Sequence, residues 1–341
     1  MTEIEIEQHL DKFHDYDIRT NHNCRFVDQK CTPDVVSFIA DCILCSKCAN
    51  EPFTIKDLWD TPYFIENTRV IFHKPSAQNT SAHNEYDKVL SQPLKLLTYA
   101  HILQICAEHP QTFNIQNRSL LEHIAQGNRN ALRFLTLFFK KVIIDSGIER
   151  FFTQYFDDCI KDAKSAKETL YNQYHRFVSA NTPTKSKKDS DRMLHKVLNI
   201  FAFEKLKPGS NGKVPELYDL MYNRINWRDK GTGKSKFLTR NEAKNSMTDE
   251  INQNFYIAYQ VNKAIRYVKK QQGDVSEVKD ELATGIATEV HHIFPKSQFP
   301  QISSFFENLI LLTSSQHRQK AHPNGNTQFA DPDCQIVCKH Q

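Results

Sequence analysis

Histidines gather in this 341-residue chain in a pattern with chemical potential. His291 and His292 stand back to back within "EVHHIFPKSQF", Asn308 and His317 follow nine residues apart, and Arg318, Lys320 and His322 come close behind. Imidazole is the side chain whose ordinary pKa lies nearest neutrality, so it can take a proton or hold a metal ion there. "ATEVHHI" reads as a strand, in which successive side chains point to opposite faces. The two rings therefore cannot both fill a core on one face. One of them must serve a different purpose from the other.

The elements that would position these residues are legible around them. A helix is predicted from near Thr248 through "YIAYQVNKAIRYVKK", followed by a polar, acidic connection. The strand with the paired histidines comes next, then a second strand in "ENLILLT" and a last piece, "SSQHRQKAH". Thr313 with Gln316 three residues later makes a capping box, so that piece is predicted to be a short helix carrying His317. Strand, loop, strand, helix, with histidines on the first strand and the final helix, is the arrangement to test.

"VHHIFP", "ENLILLT" and "SQHRQK", with Asn308 and His317 nine apart, resemble the motif of the HNH nucleases, the ββα-metal superfamily. The likeness covers about residues 287–322. It implies that His291 and His317 are metal ligands, that His292 is the general base activating water, and that Asn308 fixes the catalytic loop and the orientation of His292. Arg318 and Lys320 would neutralise neighbouring phosphates, and His322 is left as an outer ligand or a supporting partner. The implied cofactor is one divalent metal ion per active site, magnesium or manganese. Many relatives carry Asp where this chain has His291, and imidazole suits transition ions better than magnesium. Manganese, cobalt or nickel is therefore expected to serve at least as well. The cysteine pairs that bind structural zinc in many relatives are missing upstream of the motif, and no structural zinc is expected.

The rest of the chain reads as a separate, helical part. Only 9 glycines, 39% hydrophobic and 25% charged residues describe an ordinary globular protein rich in helix formers. The expected fold is mainly α with a C-terminal α+β module. Residues 1–204 form a helical domain for DNA recognition or dimerisation, 205–244 a linker with a basic segment, and 245–341 the nuclease domain. In the helical part, "EYDKVLSQPLKLLTYAHILQIC" places Leu94, Leu97, Ile102 and Ile105 near helical spacing, with Pro93 near a start. "NALRFLTLFFKKVI" puts Leu132, Leu135, Phe138, Phe139 and Val142 on one face. Cys24, Cys31, Cys42, Cys45 and Cys48 cluster early, and buried helix thiols explain them better than zinc, since no partner pair is evident. Cys334 and Cys338 are likewise a single pair.

The chain's formal charge is only +4, so any nucleic-acid surface must be a local patch. "NTPTKSKKDSD", residues 181–191, is a polar, basic loop. In 222–240 the cations Arg224, Arg228, Lys230, Lys234, Lys236 and Arg240 face only Asp229, a formal +5. This stretch reads either as a solvated loop or as a contact to DNA backbone phosphates. Its "GTGKS" is not a phosphate-binding loop, because Arg228 stands where that pattern needs glycine. No run approaches the roughly 18 apolar residues of a membrane span. The acidic start lacks the parts of a signal peptide, so a cytoplasmic protein without membrane association is expected.

A long helical part ahead of such a module resembles the HNH class of Type II restriction endonucleases. That architecture implies sequence-specific cleavage of double-stranded DNA by a homodimer, encoded beside a DNA methyltransferase. A modification-dependent enzyme, a homing or nicking endonuclease, and a non-catalytic DNA-binding or regulatory protein are the alternatives.

Overall fold

Short polar side chains meet the unpaired amides at the first turns of many helices. Thr2, Asp17, Thr54, Asn117, Asp162 and Ser186 each accept a hydrogen bond from a backbone N–H two or three residues on. These six helices therefore begin where the sequence supplies such an oxygen. The computed structural model describes residues 1–72, 83–222, 249–323 and 330–340. It is mainly helical, with one sheet of three strands and one of two. The chain divides into two compact units, Met1–Lys244 and Asn245–Gln341. Among the described residues, no helix is long and apolar enough to cross a membrane. Arg224, Arg228, Lys230, Lys234, Lys236 and Arg240 lie outside the described residues.

In the first unit, the helix Pro33–Leu44 is buried at every position from Pro33 to Ile43. A helix apolar nearly all round belongs at the centre of a core. Its two carboxylates are satisfied there: the Tyr63 hydroxyl donates to Asp41 at 2.5 Å and the Tyr222 amide donates to Asp34 at 2.9 Å. The helices Arg118–Gln126 and Asn128–Asp145 pack against it. Leu135, Phe138, Phe139 and Val142 are buried on the second of these, joined by Phe134, which stacks on Phe138 at 5.7 Å. Cys24, Cys31, Cys42 and Cys48 are buried thiols and Cys45 is exposed.

One predicted helix is corrected. Pro93 lies inside the helix His83–Tyr99 rather than near its start, and the helix stops before Ile102 and Ile105. His101 adopts a left-handed conformation, with φ 54°. The His101 amide donates to the Thr98 carbonyl and the Ile102 amide to the Leu97 carbonyl, at 3.0 and 2.9 Å. This pair of bonds is the usual glycine-type helix stop, made here by a histidine. The chain then turns into β2 (Leu103–Glu108) and β3 (Gln111–Ile115), an antiparallel hairpin. The short β1 (Phe53–Thr54) pairs with β3 on its other side.

The second unit is built around one hydrophobic strand. β5 (Leu309–Thr313) is buried at all five positions, because both of its faces are covered. Leu309 and Leu311 pack with Ala264 and Val268 of the helix Asp249–Gln272. Ile310 and Leu312 pack with Ala321 and Cys338 on the other side. Each of these four side chains contributes roughly 1.5–3 kcal/mol through burial. β4 (Ala287–His292) pairs antiparallel with β5, His291 facing Ile310 and His292 facing Leu309 across the ladder.

Candidate metal centre

Cross-strand neighbours share a face. His291, opposite Ile310, therefore lies on the face covered by the chain's last turns, and His292 lies on the other. The piece that delivers the remaining histidines is fixed by Thr313 and Gln316. Their capping box forms as predicted, and the buried Gln316 does more than cap. Its side-chain oxygen accepts from Ser276 at 2.6 Å, and its amide donates to Val278 O and Asp280 Oδ1, each at 2.9 Å. The start of this helix is thereby tied to the 276–280 segment.

After Gln316 the chain widens into a single π-type turn, His317–Ala321, closed by a 3.0 Å bond from the His322 amide to the His317 carbonyl. The widening decides the site. At about 100° per residue an α-helix leaves residues five apart on different faces, about 140° apart around the axis. A turn closed by an i→i+5 bond returns the fifth residue close to its starting face. His322 therefore comes alongside His317. The ring centroids of His291, His317 and His322 lie 5.6, 4.9 and 4.8 Å apart in the three pairs. One nitrogen from each ring falls within 4.8 Å of the others.

These residues suit a divalent metal ion. The Nε2 atom of His291 is buried without a hydrogen-bond partner. A nitrogen withdrawn from water normally has one, so the orphan marks a place for an electrophile. Burial first, then the neighbouring histidines, push the His291 pKa down to about 3, and burial also lowers that of His317. Both rings are neutral at pH 7, the form that ligates metals. His291, His317 and His322 are thus the residues that would hold such an ion.

His292 lines the same cleft, of about 670 Å³, with His291, His317, His322 and Lys296. Its Nε2 lies 3.0 Å from the Ser303 carbonyl. A carbonyl can only accept, so this bond places the ring proton on Nε2 and leaves the Nδ1 lone pair available. Burial lowers the His292 pKa, partly offset by that bond, so this ring too is neutral at pH 7.

Asn308 is buried and clamps the turn after β4. Its side-chain oxygen accepts from the Phe294 amide at 2.7 Å, and its nitrogen donates to the Phe294 carbonyl at 3.1 Å. Its backbone carbonyl takes the Ile293 amide at 2.9 Å. The loop next to His292 is thus held from three sides. Arg318 is exposed. Lys320 instead pairs with Asp280 at 3.0 Å and Glu281 at 2.6 Å, so its charge is already engaged. Cys334 and Cys338 bring their sulfurs to 3.9 Å, and Cys338 belongs to the core under β5.

The structure thus brings His291, His292, Asn308 and His317 to one place. Sequence reasoning missed Lys296 and set His322 at the margin. Lys296 follows "HHIFP" directly, and that adjacency was the one available sign. The position of His322 depends on the π-type turn, which no residue type announces. No family model, curated protein or solved structure matches this chain.

Proposed function

We propose that this chain is a metal-dependent endonuclease of the HNH, or ββα-metal, class that hydrolyses phosphodiester bonds of double-stranded DNA. The observation that carries the reading is the meeting of three imidazoles with a fourth, carbonyl-oriented histidine in one cleft. His291, His317 and His322 are the residues to hold a divalent ion, which would supply stabilisation of the charge developing on the phosphoryl and leaving oxygens. His292 takes a proton from water through Nδ1 while Nε2–H stays bonded to Ser303. The water oxygen forms its bond to phosphorus, the bond to the 3′-oxygen breaks, and the departing oxygen takes a proton from solvent. Asn308 keeps the loop that carries Ser303 and Phe294 in register with β4. Lys296 and Arg318 are the cations placed to meet neighbouring phosphates.

Three imidazoles without a carboxylate favour manganese, cobalt or nickel over magnesium. The remaining helical unit is large enough to read a target, which supports a sequence-specific restriction enzyme. A palindromic target would require a homodimer with two sites, since one such site cuts one strand. The test is digestion of unmethylated plasmid DNA with magnesium or manganese, by the parent and by His292→Ala. The parent is expected to cut and the variant to be slower by about 10²-fold or more, the usual worth of a positioned base. Manganese affinity should stay unchanged in the variant. Equal rates for parent and variant would remove His292 from the chemistry, and a parent inert with every metal would end the nuclease reading.

A further inference from the structure

The stretch 181–191, expected to be a loop, is helical from Lys187 on, because Ser186 caps the helix Lys187–Lys205 there. The true loop is 182–186, which joins that helix to Ala163–Asn181, packed on it. The loop's cation, Lys185, folds back: the ammonium donates to the Ser179 and Thr182 carbonyls and closes the connection. The cations after it do something else. Lys187, Lys188, Arg192 and Lys196, together with Lys167 from the facing helix, line a surface cleft of about 690 Å³. Asp191 is the one carboxylate in the lining. Lys196 has a partner of its own. With Asp189 included, Lys167, Lys187, Lys188 and Arg192 face two anions, a formal +2 on one cleft where the whole chain carries +4.

The cations are arranged in order. Lys188, Arg192 and Lys196 follow one another at intervals of four, so they form a stripe along the helix with a step of about 6 Å. The Lys167 and Lys187 ammonium groups sit 5.3 and 6.0 Å from the Tyr171 ring, which holds both toward one place. The Tyr171 ring thus forms the apolar floor on which the two ammonium groups rest. The ion pairs of Lys187 and Arg192 are weak competitors. Lys187–Asp191 at 3.1 Å and Arg192–Asp189 at 3.3 Å join partly exposed side chains, which gain little from each other in water.

We propose that this cleft binds the phosphate backbone of duplex DNA and gives the helical unit its own sequence-independent hold on the substrate. The inference rests on the nuclease reading for its choice of ligand. A row of like charges at regular intervals suits a polyanion with regularly spaced phosphates. The stripe's cations neutralise phosphates and release their counterions, whatever the base sequence.

The test uses the full chain in a chelator, so that nothing is cut. Binding of two fluorescent 20-base-pair duplexes of unrelated sequence is measured by anisotropy across a salt series. Lys188→Ala/Arg192→Ala removes two exposed cations and leaves the packed face of the helix alone. It is expected to weaken both duplexes by about tenfold or more at low salt and to lower the salt slope by about 2, near 0.9 per lost contact. Lys12→Ala/Lys56→Ala, which removes the same charge outside the cleft, should keep the parental slope. A parental slope in the cleft variant would overturn the proposal, and so would a loss confined to one of the two sequences. A parent that cuts plasmid while the cleft variant binds as the parent does leaves the nuclease reading standing and this inference dead. A parent that binds through the cleft but never cuts, with any metal, upholds the cleft and ends the nuclease reading.

Discussion

At the scale of single residues, the site turns on what each imidazole has beside it. His292 has a carbonyl, which fixes its tautomer, whereas His291 has two other rings and an unmatched nitrogen. His322 gives the sharpest residue-level prediction. As a ligand, its replacement by Ala should cost manganese affinity beyond the about 10–100-fold typical of losing an outer partner. It should match the loss in His317→Ala within a small factor. Calorimetric titration of the chelator-treated protein checks this, and an unchanged affinity would return His322 to a supporting place. Lys320 belongs to the same scale. Its pairing with Asp280 and Glu281 makes it a brace for the last helical turns, so Lys320→Ala should affect stability more than DNA binding.

At the scale of elements, two devices hold the molecule's parts in place. In the second unit a strand with both faces covered carries its neighbour β4, and the Thr313–Gln316 box aims the turn with His317 and His322 back at it. The first unit depends on buried helix faces, and one of them includes a titratable group. His123, on the helix Arg118–Gln126, is buried, and its Nε2 has no partner. Burial first, then the chain's N-terminal ammonium and Arg133, push its pKa down to about 4. The unfolded chain takes up the proton near pH 6.5, whereas the folded unit refuses it until about pH 4. Stability from His123 is thus complete above pH 6.5 and is lost as the pH falls from there toward 4. Urea unfolding between pH 7.5 and 4.5 should show this decline, and a neutral replacement, His123→Gln, should make it shallower. An equal decline in that variant would assign the pH dependence to other groups.

At the scale of the whole molecule, Met1–Lys244 and Asn245–Gln341 each have a core, and the three clustered histidines belong to the second. Manganese at a hundredfold excess over its Kd should stabilise the native state to which it binds by about 2.7 kcal/mol. Hydrogen exchange should place the added protection in residues 287–322, and His291→Ala should abolish it. Protection confined to the first unit would place the ion elsewhere. Much of this arrangement was legible in the residues themselves. "LILL" between polar flanks reads as a strand because burial on both faces needs an unbroken apolar run, and Thr313 with Gln316 reads as a cap because both contacts span three residues. The approach of His317 to His291 was legible only through the resemblance, which implies that both hold one ion, since the two lie on different elements far apart in the sequence. The stop at His101 was not, since apolar spacing continues past it and the signal for a stop is ordinarily glycine. Nor was the place of His322, which one widened turn decides, or the basic cleft, whose cations come from two packed helices. Periodicity and capping act within a few residues and so are written in the sequence. Convergence of side chains from different elements depends on how packed surfaces meet, and that is settled only when the chain has folded.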